Sequence, residues 1–135
     1  MTKTYLESNT AQVSYDPQEG FFRLTIKKFV KDEEFKNILL RIIDWFSEQS
    51  SATKILNDFR GFKGVSPALQ EWVTQHYYPS MVKGGLKQAA LVLSNDVFAK
   101  VAGKKVKSGV DSMFMYKAFP SIDEAESWLA QVSKY

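Results

Sequence analysis

The chain has 135 residues, of which 44% are hydrophobic and 24% charged, and its formal net charge is +3. This length and composition predict one domain, residues 1–135, that buries a core of ordinary size. The absence of cysteine excludes disulfides, thiolate metal sites and cysteine nucleophiles, and the single histidine disfavours histidine-based metal sites. No apolar run reaches the length that spans a bilayer, so we expect a cytoplasmic protein without membrane insertion.

The first elements of the chain have the pattern of an antiparallel hairpin. Two apolar-rich runs, residues 11–15 and 21–29, flank a turn in which Pro17 suits the second position and Gly20 can take a positive φ. Residues 4–8 are a candidate for one further strand.

Residues 31–49 have the clearest helical pattern in the chain. Apolar residues recur at the i, i+3, i+4, i+7 spacing of one helical face, and three acidic residues fill the first turn, where they favour the positive end of the helix dipole. The apolar face consists of Phe35, Ile38, Leu39, Ile42, Ile43 and Phe46, and the acidic residues are Asp32, Glu33 and Glu34.

Strand and helix patterns alternate through the second half of the chain. Short apolar-centred runs at residues 53–59 and 88–94 predict strands, and the second run lacks the alternation of a half-exposed strand. Between them, residues 66–85 predict a helix with Ser66 as its N-cap, and Pro79 is expected to end or kink this helix.

The last third of the chain predicts a short helix, a strand and a final helix. Asn95 is the expected cap of the short helix, residues 112–119 are the strand, and Ser121 with Glu124 forms a capping box. The final helix has a buried stripe of Ile122, Ala125, Leu129 and Val132. Together these patterns predict an α/β fold with a mixed sheet, in which an N-terminal antiparallel hairpin is followed by βαβαβα with about four helices and right-handed crossovers.

A functional site is expected beyond the carboxyl ends of the parallel strands, near the switch in strand order. Those ends are predicted at residues 29–30, 58–64 and 94–96 and at Phe119, so the connection 58–66 lies where a site is expected. Its two glycines are separated by two residues rather than the four of a P-loop, and the G-x-G-x-x-G fingerprint is absent, which disfavours a nucleotide enzyme.

Four residues of this connection are candidate site residues. Arg60 and Lys63, together with the helix N-terminus at Ser66, can hold an anion or contact a partner. Asp58 can pair directly with Arg60, accept hydrogen bonds from loop N–H groups, or act as a general base. The structural roles are favoured for Asp58, because the sequence shows no second titratable group that would tune it.

An aromatic and methionine set suggests a second kind of site, an apolar pocket between sheet and helices. Core packing is the alternative account of the same residues. One member of the set, His76, shares a predicted helical face with Leu69 and Val73, so it is either a hydrogen-bonded core residue or a ligand contact. The candidate pocket residues are Trp72, His76, Tyr77, Met81, Met113 and Met115.

A lysine-rich stretch at residues 100–107 is the local exception to the modest net charge. It lacks interleaved aromatic residues that would stack on bases, so it predicts a solvated loop rather than an anion or nucleic-acid patch. We therefore expect no nucleic-acid partner.

Segments 21–30, 54–62, 71–93 and 119–129, taken in order, resemble the SpoIIAA-like family of small bacterial proteins. The most specific positions are Asp58 with Arg60, Trp72, Pro79, Gly85 with Lys87 and Ala90, and Ala125 with Trp128 and Leu129. The resemblance covers nearly the whole chain and implies a STAS-type fold, which is also related to CRAL-TRIO lipid-binding domains.

The resemblance also implies a mode of regulation. STAS domains of the anti-sigma-factor-antagonist type dock on a partner kinase or transporter and are switched by phosphorylation of a serine at a helix N-terminus. Ser66 occupies that position, although residues 64–67 are Gly-Val-Ser-Pro where the family pattern has Asp-Ser, a small residue and glycine. Ser66 is therefore either a regulatory phosphosite or simply a helix cap.

Two functions of different classes follow from these observations. The first is a non-catalytic, STAS-like interaction and regulatory module that binds a protein partner or itself, as a homodimer. The alternative is a carrier or sensor of a small apolar, lipid-like ligand. No nucleophile–base pair can be assembled from the sequence, so we expect neither an enzyme nor a metal or other cofactor.

Overall fold

A computed structural model of the protein describes residues 2–49, 52–62, 66–102 and 114–131. It confirms the predicted mixed α/β fold, with an N-terminal antiparallel hairpin, a six-stranded sheet and four helical rods, one of which contains a π turn. The strands are β1 (Lys3–Glu7), β2 (Ala11–Asp16), β3 (Phe21–Ile26), β4 (Lys54–Asp58), β5 (Gln88–Val92) and β6 (Met115–Phe119). The helices are α1 (Asp32–Glu48), α2 (Pro67–Trp72), the π turn (Val73–Tyr77), α3 (Tyr78–Lys83), α4 (Asn95–Ala102) and α5 (Ile122–Gln131).

The six strands lie in the sheet in the same order as in the chain. Strands β1 to β3 are antiparallel and strands β3 to β6 are parallel. Strand β3 is the one at which pairing changes from antiparallel to parallel. Its residue Phe22 lies opposite Tyr15 of the antiparallel neighbour β2 and opposite Ile55 of the parallel neighbour β4. The order does not reverse within the described sheet, so only the carboxyl ends of the parallel strands mark the expected site, and its location stays a prediction.

The hairpin between β2 and β3 confirms the predicted turn. Gly20 has a φ of 81°, a value that residues with a side chain rarely adopt, and its N–H donates to the carbonyl oxygen of Asp16 at 2.9 Å. The turn therefore depends on the glycine that the sequence analysis singled out.

Both faces of the central strands are covered. Ile55 and Leu56 are consecutive in β4, so their side chains point to opposite faces of the sheet. Ile55 joins the larger core cluster, which includes Phe46 of α1, whereas Leu56 joins a smaller cluster beneath Leu129 of α5. The unalternating apolar run of β5 is explained in the same way.

The rod formed by α2, the π turn and α3 differs from the sequence prediction at Pro79. Pro79 has no N–H to donate to the carbonyl of Gln75, and the preceding N–H, of Tyr78, donates to the carbonyl of Val73 five residues back. The wider turn accommodates the proline, so the rod continues to Lys83. Of the two predicted effects of Pro79, an end or a kink, the end is wrong, and the interruption takes the form of a π turn.

The π turn also changes which residues face the core. A π turn contains about one residue more than a turn of α-helix, so the residues that face the core no longer follow α-helical spacing. The buried residues are Leu69, Tyr77 and Met81. His76 is exposed on the outside of the rod. The prediction that His76 lies on the apolar face is therefore wrong, because it assumed an uninterrupted α-helix.

The structure shows the N-caps of α5 and α4, for each of which the sequence predicts a residue. Glu124 donates its backbone N–H to the Ser121 hydroxyl at 3.3 Å, and that hydroxyl bonds the Glu124 carboxylate at 3.0 Å, so the predicted capping box is confirmed. The cap of α4 is Ser94 rather than Asn95, because the Ser94 hydroxyl accepts the N–H of Val97 at 3.4 Å. The predicted end of α4 at Gly103, the lysines beyond it and Val132 lie outside the described residues.

Candidate functional site

The connection that follows β4 contains a bidentate ion pair between Asp58 and Arg60. Nε of Arg60 donates to Oδ1 of Asp58 and Nη2 donates to Oδ2, each at 2.9 Å, and the Arg60 backbone N–H also reaches Oδ1 at 3.3 Å. The Asp58 side chain is 12% exposed and that of Arg60 is 52% exposed. The hydrogen bond to Asp58 raises the pKa of Arg60, so the pair presents a fixed, charged guanidinium at the surface.

Both structural roles considered for Asp58 are present in this geometry. Its carboxylate pairs with Arg60 and accepts a loop N–H, and both carboxylate oxygens are engaged. The structural roles of Asp58 are therefore observed, and its role as a general base stays an untested alternative. The role of Arg60 as an anion or partner contact stays a prediction, and Lys63 lies outside the described residues.

The same connection packs tightly against the segment that leaves β3. A Cβ atom at Gly61 would lie 2.3 Å from the carbonyl oxygen of Lys27, so only glycine permits this approach of the two backbones. Beside it, the rings of Phe59 and Phe62 lie 5.1 Å apart, and Phe35 of α1 lies 4.8 Å from Phe62. The connection is therefore held on two sides, by backbone contact and by aromatic packing.

Phe29 lies two residues beyond this backbone contact and is 59% exposed. Arg60 lies one residue before it on the facing segment, so an exposed aromatic ring and an exposed guanidinium are carried by adjoining segments. Residue 29 was predicted as a strand end, but β3 ends at Ile26, and no pattern in the sequence selects the Phe29 side chain. Phe29 is distinguished by its solvent exposure, and an apolar residue in a loop sequence does not by itself indicate whether its side chain is exposed.

Ser66 caps α2 as predicted, and it also contacts α1. Its hydroxyl accepts the N–H of Leu69 at 3.2 Å, and its own N–H donates to Oδ1 of Asp32 at 3.2 Å. Asp32 is 34 residues away from Ser66 in the chain, so this contact joins the first turn of α1 to the start of α2. Asp32 was identified as a helix-dipole residue, and its contact with Ser66 was missed because the two are distant in the chain.

Trp72, at the end of α2, is half-buried and packs against the larger core cluster. Nζ of Lys36, on α1, lies 5.0 Å from its ring centroid, and the ring of His76 lies 6.2 Å away. We call the residues Phe29, Arg60, Ser66 and Trp72 the carboxyl-edge surface, because they follow the carboxyl ends of β3 and β4.

The predicted apolar-pocket residues do not share one environment. Tyr77 and Met81 are buried in the core, Trp72 and Met115 are half-buried, and Met113 lies outside the described residues. Two surface clefts occur elsewhere, one of about 420 Å³ between β1 and α1 and one of about 350 Å³ between β6 and α5. Neither cleft is lined by a member of the predicted set.

Tyr77 is 2% exposed, and its hydroxyl has no hydrogen-bond partner among the residues that the structure describes. Burying a hydroxyl without a partner costs about 1–3 kcal/mol. We therefore expect Tyr77→Phe to raise the free energy of unfolding by about 1 kcal/mol, measured by urea denaturation. The matched control is Tyr5→Phe, which removes a hydroxyl that accepts a hydrogen bond from Gln49 at 2.6 Å and is expected to destabilise.

The stability difference between Tyr77→Phe and the wild type is expected to depend on pH. Burial raises the pKa of the Tyr77 phenol in the folded protein, so above about pH 10 the unfolded chain loses this proton first. The contribution of this protonated phenol to the free energy of unfolding is fully present below about pH 10. It falls as the pH rises further, by up to about 1.4 kcal/mol per pH unit. We expect Tyr77→Phe to lose less stability than the wild type between pH 9 and pH 11; an equal loss would show that this phenol is accessible when folded.

The described residues contain no group of three or more histidine, aspartate or glutamate side chains placed to hold a metal ion. Among the helices within those ranges, none combines the length and apolar character needed to cross a membrane.

Comparison with known proteins finds similarity among solved structures. No family model and no curated protein matches the chain. A solved structure from Shewanella loihica PV-4, described as an uncharacterized protein of the DUF3478 family with a SpoIIAA-like fold, is similar over 92% of this chain and 98% of its own. The two share 14% sequence identity, with a TM-score of 0.49.

Proposed function

We propose that the protein is a non-catalytic interaction and regulatory module that contacts a protein partner through the carboxyl-edge surface. The observation that carries this proposal is that exposed Phe29 and the hydrogen-bonded guanidinium of Arg60 lie on adjoining segments, which follow β3 and β4. Single exposed apolar residues are ordinary, but aromatic and arginine side chains together are the types that dominate protein interfaces. Half-buried Trp72 extends this group along α2.

The rigidity of the surface supports the same proposal. Binding is weakened when side chains and loops must be ordered on contact. Here Arg60 is fixed by two hydrogen bonds to Asp58, and its connection is fixed by the close approach of Gly61 to Lys27. A partner would therefore meet a largely preformed surface.

Ser66 offers a route for regulation of that surface. Its hydroxyl caps α2, and its N–H is bonded to the Asp32 carboxylate. A phosphate on this hydroxyl would introduce negative charge close to Asp32, and like charges at this distance repel. We expect phosphorylation to loosen the junction of α1 and α2 and to change the affinity for the partner.

Site-specific photo-crosslinking in the source cells tests the proposal. A photoreactive amino acid replaces Phe29 in one variant and, as a matched control, Leu40 in another, because Leu40 is an exposed apolar residue of α1 at 44% exposure. We expect a discrete crosslinked species from position 29 that weakens when Arg60→Gln is added, and none from position 40. Equal products from both positions, or none from position 29, would contradict a specific surface.

A further inference from the structure

A cleft of about 420 Å³ lies between β1 and the first half of α1. Leu6 of β1 and Ile38 of α1 supply its apolar part, and both belong to or pack against the larger core cluster. Charged and polar side chains line the rest of the cleft. Its volume falls within the range of sites that hold small molecules, about 300–1,000 Å³.

An irregularity in β1 shapes one wall of this cleft. The pairing of β1 with β2 shifts register between Thr4 and Leu6, and the consecutive residues Tyr5 and Leu6 both pack against the larger core cluster. In a regular strand, consecutive side chains point to opposite faces of the sheet. Tyr5 contacts Trp45 of α1, with ring centroids 5.1 Å apart, while Leu6 lines the cleft. The bulge therefore provides an apolar wall that regular alternation would not.

Contacts within the chain hold two charged side chains of the cleft in place. Oε2 of Glu34 accepts a hydrogen bond from Oγ1 of Thr10 at 2.6 Å, which joins the start of α1 to the residues just before β2. Cζ of Arg41 lies 4.9 Å from the ring centroid of Trp45, in a cation–π contact. A ligand would meet both groups already positioned, which lowers the entropic cost of binding.

Opposite charges occupy the two ends of the cleft along α1. Glu33 and Glu34 line it at the start of the helix together with Lys31, so this end carries one net negative charge. Arg41 lines it roughly 10 Å farther along the helix axis, and Ile38 lies between the two ends. Within the part of the chain that the structure describes, no ion pair joins these cations to these carboxylates. The cleft is therefore negative at one end and positive at the other.

We propose that this cleft binds a small, linear zwitterion in which an alkyl chain separates a carboxylate from an ammonium group. The ligand carboxylate pairs with the guanidinium of Arg41, and the ammonium group pairs with the carboxylates of Glu33 and Glu34. The alkyl chain covers Leu6 and Ile38. A simple anion would meet the two carboxylates and a simple cation would meet the guanidinium, so charge complementarity favours a ligand that carries both charges. The site shares no residue with the carboxyl-edge surface.

Titration with 6-aminohexanoate, followed by NMR of the backbone amides, tests this proposal. We expect saturable shifts at the cleft residues Leu6, Ile38 and Arg41. Hexanoate and hexylamine keep the alkyl chain but each lacks one charge, and we expect each to bind roughly tenfold or more weakly. No saturable shift, shifts confined to residues outside the cleft, or equal binding of the three compounds overturns the proposal.

Two variants separate direct contact from a general effect on the fold. In Arg41→Gln, 6-aminohexanoate is expected to bind roughly tenfold more weakly, because its carboxylate has lost its partner, whereas hexylamine is expected to bind no more weakly than to the wild type. The control Glu48→Gln removes a carboxylate at the far end of α1, outside the cleft, and is expected to leave both affinities unchanged. An equal loss for both compounds in Arg41→Gln, or the same loss in Glu48→Gln, overturns the proposal.

Discussion

Phe22→Ala is expected to lower the free energy of unfolding by about 3–5 kcal/mol, the largest loss among the substitutions considered. Phe22 is 0% exposed and lies in β3, where the antiparallel and parallel parts of the sheet meet. Its ring centroid lies 4.7 Å from that of Tyr15, 5.7 Å from that of Tyr5 and 5.4 Å from that of Phe46. Removing it leaves a cavity between the hairpin and α1 that several rigid rings cannot fill.

Urea denaturation measures this effect as a fall in the midpoint with little change in the slope. The matched control is Phe29→Ala, which removes the same side chain from a position that is 59% exposed and is expected to change stability by less than about 0.5 kcal/mol. A domain of this size has about 5–15 kcal/mol of stability, so Phe22→Ala removes a large share of it. Equal effects of the two substitutions would contradict the assignment of Phe22 to the core.

Gly61→Ala is expected to lower the free energy of unfolding by about 1–3 kcal/mol, through a clash rather than a cavity. The added methyl group would lie 2.3 Å from the Lys27 carbonyl oxygen and 2.8 Å from its carbonyl carbon. Both are backbone atoms, so neither can turn aside as a flexible side chain would. The conformation of Gly61 is not left-handed, so the cost comes from the contact and not from backbone strain.

Gly84→Ala is the matched control for this prediction. A Cβ at Gly84 would meet its nearest atom, the Met81 carbonyl oxygen, at 3.4 Å, which is ordinary contact, and φ there is −79°. We expect Gly84→Ala to be neutral or slightly stabilising, because alanine reduces the freedom of the unfolded chain. If the proposed function is correct, Gly61→Ala also weakens crosslinking from position 29, whereas Gly84→Ala does not. Equal stability of the two variants would contradict the close approach of the two segments.

Local patterns in the sequence predicted the elements that depend on neighbouring residues. The i, i+3, i+4, i+7 spacing predicted α1, and the structure confirms it from Asp32 to Glu48. Gly20 predicted the hairpin, and Ser121 with Glu124 predicted the start of α5. Each of these signals is complete within a few residues, because hydrogen bonds of turns, caps and helical faces join residues that are close in the chain.

Local patterns do not decide between two neighbouring residues that can play the same role, or between two effects of one residue. Ser94 and Asn95 are both good caps, and the choice of Ser94 follows from where the strand before it ends. At Pro79 the sequence correctly indicated an interrupted hydrogen-bond pattern, but a helix can end, kink or widen at a proline. Burial of Tyr77 and Met81 against the sheet favours the widened turn, and His76 becomes exposed as a result.

The sequence by itself determined the fold class, the hairpin and the presence of the helices, because these depend on periodicity and on short-range hydrogen bonds. Only the tertiary structure decided the strand order, the contact of Ser66 with Asp32 and the close approach of Gly61 to Lys27. Those contacts join segments about 30 residues apart, and no local pattern records which backbone will approach which. They form when α1 and α2 pack on the sheet, where burial of apolar surface offsets the entropy lost in closing the long connections between them.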